Sequence, residues 1–241
     1  MKKTLFYILF LVAGVVNAQT ATEKKVTWDY PVKPEMEEWK FQTMEEMINA
    51  CQIPDVILSS LSTEELTDLC LNYPLLMEIY RFNDFNEGLD NLYRTFNGIR
   101  ILSQRRDASS NLTKQYMEKI KSVSLLNEEI SDIEKGRLLY FISNVEVLLA
   151  RIGQDNDEKE SCKNILQVLV VGYKEKLNYT DYFAGTGFRT NLYSRATVLS
   201  KMDTSWVERL PQRENNPALF TGRVNEQTVR IIDELSYRLI E

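Results

Sequence analysis

Cys51 and Cys70 lie nineteen positions apart in the stretch ACQIPDVILSSLSTEELTDLCLNYP, residues 50–74, of a chain that has no histidine. A cysteine attacks or ligates as its thiolate, so a reactive one needs a neighbour that lowers its pKa, most often a histidine. Three readings of the pair stay open. Unpaired thiols behave as small buried hydrophobes and would simply fill a core. A disulfide is allowed if the chain is exported, and closing this loop would stabilise by roughly 3 kcal/mol. A catalytic thiol would have to find an activator other than imidazole. Cys162 sits on a separate apolar stripe and reads as a buried thiol.

The missing imidazole removes Ser-His-Asp and Cys-His catalysis, histidine-ligated zinc and the usual general base. Three scattered cysteines cannot replace it, so no metal site and no cofactor is expected. Gly185-Thr186-Gly187 has no strand before it and carries no nucleotide signal. Paired carboxylates are the catalytic device still open, because a glycosidase needs two acids about 5–10 Å apart across a cleft. Glu45-Glu46, Glu64-Glu65 and Glu128-Glu129 are adjacent, but neighbours along a helix point different ways. The first two pairs fall where a helix begins, so capping accounts for them better.

Recognition has one candidate, the stretch YTDYFAGTGFRTNLYSR, residues 179–195, expected to be a loop. Tyr182, Phe183, Phe188, Arg189, Tyr193 and Arg195 are its candidate binding residues. Aromatic and arginine side chains are enriched where proteins grip partners. The competing reading is that the rings anchor a long loop to the body.

The elements that must position these residues read as helices. Met44, Met47, Ile48 and Cys51 fall at i, i+3, i+4 and i+7, and Leu66, Leu69, Cys70 and Tyr73 repeat the spacing. Further stripes are Leu89-Leu92-Phe96-Ile99, Leu112-Tyr116-Ile120-Val123 and Leu138-Ile142-Val145-Leu149-Ile152. Ser62 with Glu65, and Ser131 with Glu134, have the capping-box form. Gly153 is an expected helix stop. Residues 168–171 could pass for a strand but lie inside a helical stripe from Cys162 to Tyr173, which predicts a buried helix. A last helix is expected over residues 225–240. Sliding the chain by nineteen puts Thr43 on Ser62 and Cys51 on Cys70, while Pro54 falls one residue short of Pro74. One capped helical unit, used twice, explains the two cysteines without chemistry.

The run PVKPEMEEWKFQTMEEMINACQIP, with LSTEEL and CLNYP after it, resembles a family of uncharacterised exported bacterial proteins. The resemblance covers about residues 28–106. It implies export and a helical fold, and brings no catalytic or binding residue with it.

The start of the chain agrees with export. Lys2 and Lys3 precede a short apolar run, and Val16-Asn17-Ala18 suits a signal peptidase. Residues 1–18 therefore read as a signal peptide cleaved after Ala18, with the product in the periplasm or outside the cell. No later run is long and apolar enough for a membrane span. The net charge of −6 argues against nucleic acid as a partner. Residues 19–42, with two prolines, two tryptophans and a tyrosine, read as an extended arm whose aromatics pack on the body. Residues 43–241 should form one all-α domain of antiparallel helix pairs, in a layout that the repeat would make curved. The expected role is a non-enzymatic binding or scaffold module with a protein or glycan partner. The alternative is a carboxylate-dependent glycan hydrolase or lyase.

Overall fold

Side-chain caps set where the first helices begin. In a computed structural model that describes residues 28–41, 43–127, 130–155, 159–217 and 220–240, Thr43 is the N-cap of α1 (Met44–Ala50). Pro54 opens α2 (Asp55–Ser60), and Ser62 is the N-cap of α3 (Thr63–Leu71). Thr43 and Ser62 each accept the N–H of the glutamate three residues on, and that carboxylate accepts the N–H of the cap in return. Two of the N–H groups a helix start leaves bare are thereby satisfied. The two units diverge after their first helices. Pro74 leads into a 3-10 helix, Leu76–Arg81, which has no side-chain cap.

Asp84 then caps α4 (Phe85–Thr95) by accepting the N–H groups of Asn86 and Glu87. The stripe from Leu89 to Ile99 is not one helix: Phe96 is extended, and α5 (Asn97–Ser103) starts after it. Two amides hold this break. Asn97 accepts the Ile53 N–H at 3.1 Å and donates to the Ile53 carbonyl at 2.7 Å. Gln52 accepts the Asn97 N–H and donates to the Thr95 carbonyl. Apolar spacing cannot show such a break, because the stripe continues through it.

The rest of the body is α6 (Ala108–Lys121), α7 (Asp132–Asp155), α8 (Lys159–Leu177), α9 (Thr180–Phe183), α10 (Thr186–Met202) and α11 (Glu226–Ile240). Every regular element among the described residues is helical, so the fold is all-α. Residues 168–171 lie within α8, as the stripe predicts. α7 runs through the expected stop at Gly153 and ends at Asp155. No helix among the described residues is long and apolar enough to cross a membrane. The expected signal peptide, residues 1–18, lies outside the described residues, as does the Glu128-Glu129 pair.

α10 packs between α7 and α8, α6 packs on those same two helices, and α11 lies against α8 and α10. Residues 142–150 of α7 and 190–196 of α10 are buried without interruption, on all faces of each helix. From the arm, residues 28–41 have no helix or strand. Tyr30 is buried there, donates to the Leu69 carbonyl at 2.8 Å, and meets Trp28 edge-on at 5.0 Å.

Candidate functional site

The stretch read as a loop is mostly helix. Residues 180–183 form α9 and residues 186–195 the first half of α10, so the loop expectation is corrected. Its cause is physical: residues 190–196 of α10 are buried on every face, and Thr190, Asn191, Ser194 and Arg195 interrupt its apolar positions. A helix with no solvent face shows no amphipathic stripe.

Those polar residues belong to a buried knot around Glu146 of α7, which no periodicity points to. The Glu146 carboxylate accepts from Tyr116 Oη at 2.6 Å, Lys176 Nζ at 2.6 and 2.7 Å, Thr190 Oγ1 at 2.7 Å and Asn191 Nδ2 at 2.9 Å. Glu146, Lys176, Thr190 and Asn191 are all fully buried. Burial lowers the Lys176 pKa, opposed by the carboxylate beside it. Lys176 also donates to the Gly187 carbonyl at 2.7 Å and lies 5.1 Å from the centre of the Phe183 ring. Gly172 makes the arrangement possible, since a Cβ there would stand 1.8 Å from Tyr116 Oη. The one visible sequence signal was an acid inside the run Val145-Glu146-Val147-Leu148-Leu149.

Arg195 extends the knot towards the surface. Its Nε donates to Asn191 Oδ1 at 2.9 Å and its Nη1 to Asp233 Oδ1 of α11 at 2.6 Å. The guanidinium lies 4.3 Å from the centre of the Tyr173 ring. Its remaining terminal nitrogen, Nη2, is buried and has no hydrogen-bond partner. Arg195 also contributes to the lining of a cavity of about 390 Å³. Tyr173, Phe188, Leu192, Val224 and Val229 form its apolar wall, and Arg189, Arg195 and Arg223 bring the charge. No aspartate or glutamate is among its lining residues. The outer wall, residues 222–224, is tied down on both sides. Arg189 Nη1 donates to the Thr221 carbonyl, and Glu214 accepts from the Asn225 N–H and from Thr228 Oγ1.

Of the six candidate binding residues, Phe188, Arg189 and Arg195 share this cavity. The other three do not. Phe183 is buried under Lys176, and Tyr193 is buried with its ring 4.7 Å from Phe85 and its hydroxyl donating to Asn86 at 2.8 Å. Tyr182 is exposed beside Lys135 and is not among the residues that line the cavity. Sequence reasoning missed Tyr173 and residues 222–229, which approach only through the fold.

Cys51, Cys70 and Cys162 are buried free thiols. Burial pushes the Cys51 thiol up to about 11 and Cys70 higher still, which disfavours the thiolate a nucleophile needs. Both flank Tyr30, whose hydroxyl is raised far above its ordinary range by burial and then by Cys70, Tyr73 and Cys51. Among the adjacent acids, Glu46 and Glu65 serve as caps, and Glu64 pairs with Lys114 at 2.8 Å. A wider groove of about 900 Å³ carries Asp29, Glu35 and Asp68. There Lys33 holds Asp29 below the ordinary carboxylate range, and Asp68 accepts from Gln115. A general acid needs the opposite shift. Among the described residues, no group of three or more cysteine, aspartate or glutamate side chains is placed to hold a metal ion.

No family model matches the chain, and neither a curated protein nor a solved structure does.

Proposed function

We propose that this is an exported, non-enzymatic binding module that takes a small ligand, or one end of a larger one, between α8, α10 and residues 222–229. The cavity beside Arg195 carries the reading. Its volume falls in the range of small-molecule sites, and it has the usual make-up of an apolar wall with a few polar groups.

Thermal shift of the purified protein against small acids, sugars and short peptides tests it. A ligand at about a hundred times its Kd should add roughly 2.7 kcal/mol to apparent stability. Gly222→Phe supplies the control. Gly222 lines the cavity, and a Cβ there meets nothing within 4 Å, so a ring can fill the mouth without disturbing the fold. The variant should melt like the parent and lose the shift. An equal shift in both proteins places the ligand elsewhere, and release of a cleaved product overturns the non-enzymatic reading.

A further inference from the structure

Arg195 makes two of its three nitrogens' worth of hydrogen bonds inside the protein, to Asn191 and Asp233, and leaves Nη2 buried without a partner. A buried charged donor left bare is costly, and folded proteins rarely keep one without a reason. This one belongs to a side chain with no solvent exposure that contributes to the lining of an open cavity.

The surroundings carry the same sign. Arg189 and Arg223 line the cavity with it, no carboxylate does, and Asp233 is already engaged by Nη1. α10 also begins at this wall. Gly185 is its N-cap, at φ 74, and no side chain there accepts from the first turn. A helix start with bare N–H groups favours an anion. The rest of the wall is apolar: Tyr173, Phe188, Leu192, Val224 and Val229. A strongly hydrated dianion would lose its water against such a wall with little return, whereas a singly charged group on an apolar body suits both halves.

Resting on the proposed binding role of this cavity, we infer that it is a carboxylate-recognition site. A carboxylate takes the unpaired Nη2 of Arg195, Arg189 and Arg223 flank it, and the ligand's apolar body lies against Phe188 and Val229. Arg195 has no solvent exposure in this structure, so binding requires its Nη2 edge to be uncovered.

Titration calorimetry at pH 7 with 3-phenylpropionate, hexanoate, their methyl esters and phenyl phosphate tests the inference. The acids should bind at least about tenfold more tightly than the esters, the scale of one charge-assisted hydrogen bond. Added salt should weaken the acids alone. Arg195→Lys should lose most of that preference while ester binding persists. That variant could disturb the Asp233 pairing, so Arg223→Gln, at an exposed position, is the second probe. It should weaken the acids several-fold with unchanged melting. N-acetyl-phenylalanine beside 3-phenylpropionate then tells a peptide chain end from a free acid, and tight binding of either supports the inference. Esters binding as well as acids overturn the carboxylate assignment and leave the binding cavity standing. Phenyl phosphate binding best overturns it in favour of a dianion. Silence from the whole series in the parent protein overturns both.

Discussion

At the scale of residues, Glu146 and Lys176 dominate. Removing one partner of a buried ion pair strands the other, so Lys176→Met should destabilise by about 3–5 kcal/mol in urea unfolding. A loss under about 1 kcal/mol would mean that water reaches the carboxylate. The cysteines give a pH prediction. The folded Cys51 pKa is raised, so its contribution is complete below the unfolded value near 9 and is lost as pH rises towards about 11. Cys51→Ala should therefore flatten the alkaline decline in stability. Denatured, unreduced protein should show three reactive thiols, and a count of one would reveal a disulfide. The sequence left the pairing of Cys51 and Cys70 open because matching positions in two similar helices suit a bond and a core slot equally well.

At the scale of elements, starts were more legible than breaks. Thr43, Ser62 and Ser131 announce their helices because cap and partner lie three residues apart and need nothing distant. The break at Phe96 depends on Gln52 and Asn97, more than forty residues apart in the chain, and local spacing is blind to it. Asn97→Ala should therefore cost about 1–3 kcal/mol, since two backbone groups of Ile53 lose their partner. A cost near zero would show that Gln52 alone holds the junction. Tyr193 and Arg195 were misplaced for another reason. On a helix buried all round, the rule that polar residues face water fails, so α10 resembled a loop.

At the scale of the whole molecule, the all-α architecture could be read from stripes and caps, while the cavity could not. Its lining comes from α8, α10, α11 and residues 222–224, and only Phe188, Arg189 and Arg195 stood out in the chain. Gly172→Ala tests how tightly the layers depend on one another. Its methyl group would force Tyr116 away from Glu146, and overpacking of this kind costs about 1–3 kcal/mol. The loss should be larger in the parent than in Tyr116→Phe, where no hydroxyl contends for the space. An equal loss in both backgrounds would show that the tyrosine ring, and not its bond to Glu146, sets the fit.

Glu146 also bears on how the chain assembles. Its four donors come from α6, α8 and α10, segments that span residues 116 to 191. An intermediate in which one of these helices is absent, or docked a turn out of register, confines a carboxylate without its full complement of donors. Apolar surfaces alone forgive such slips, since one leucine resembles another. The carboxylate has its full set of donors only in the arrangement in which all three helices are in place. Replacing Glu146 and Lys176 jointly with leucine takes the acceptor from Tyr116 Oη, so it should cost stability and also broaden the unfolding transition, with a smaller urea dependence. A transition as sharp as the parent's would show that packing alone enforces the register.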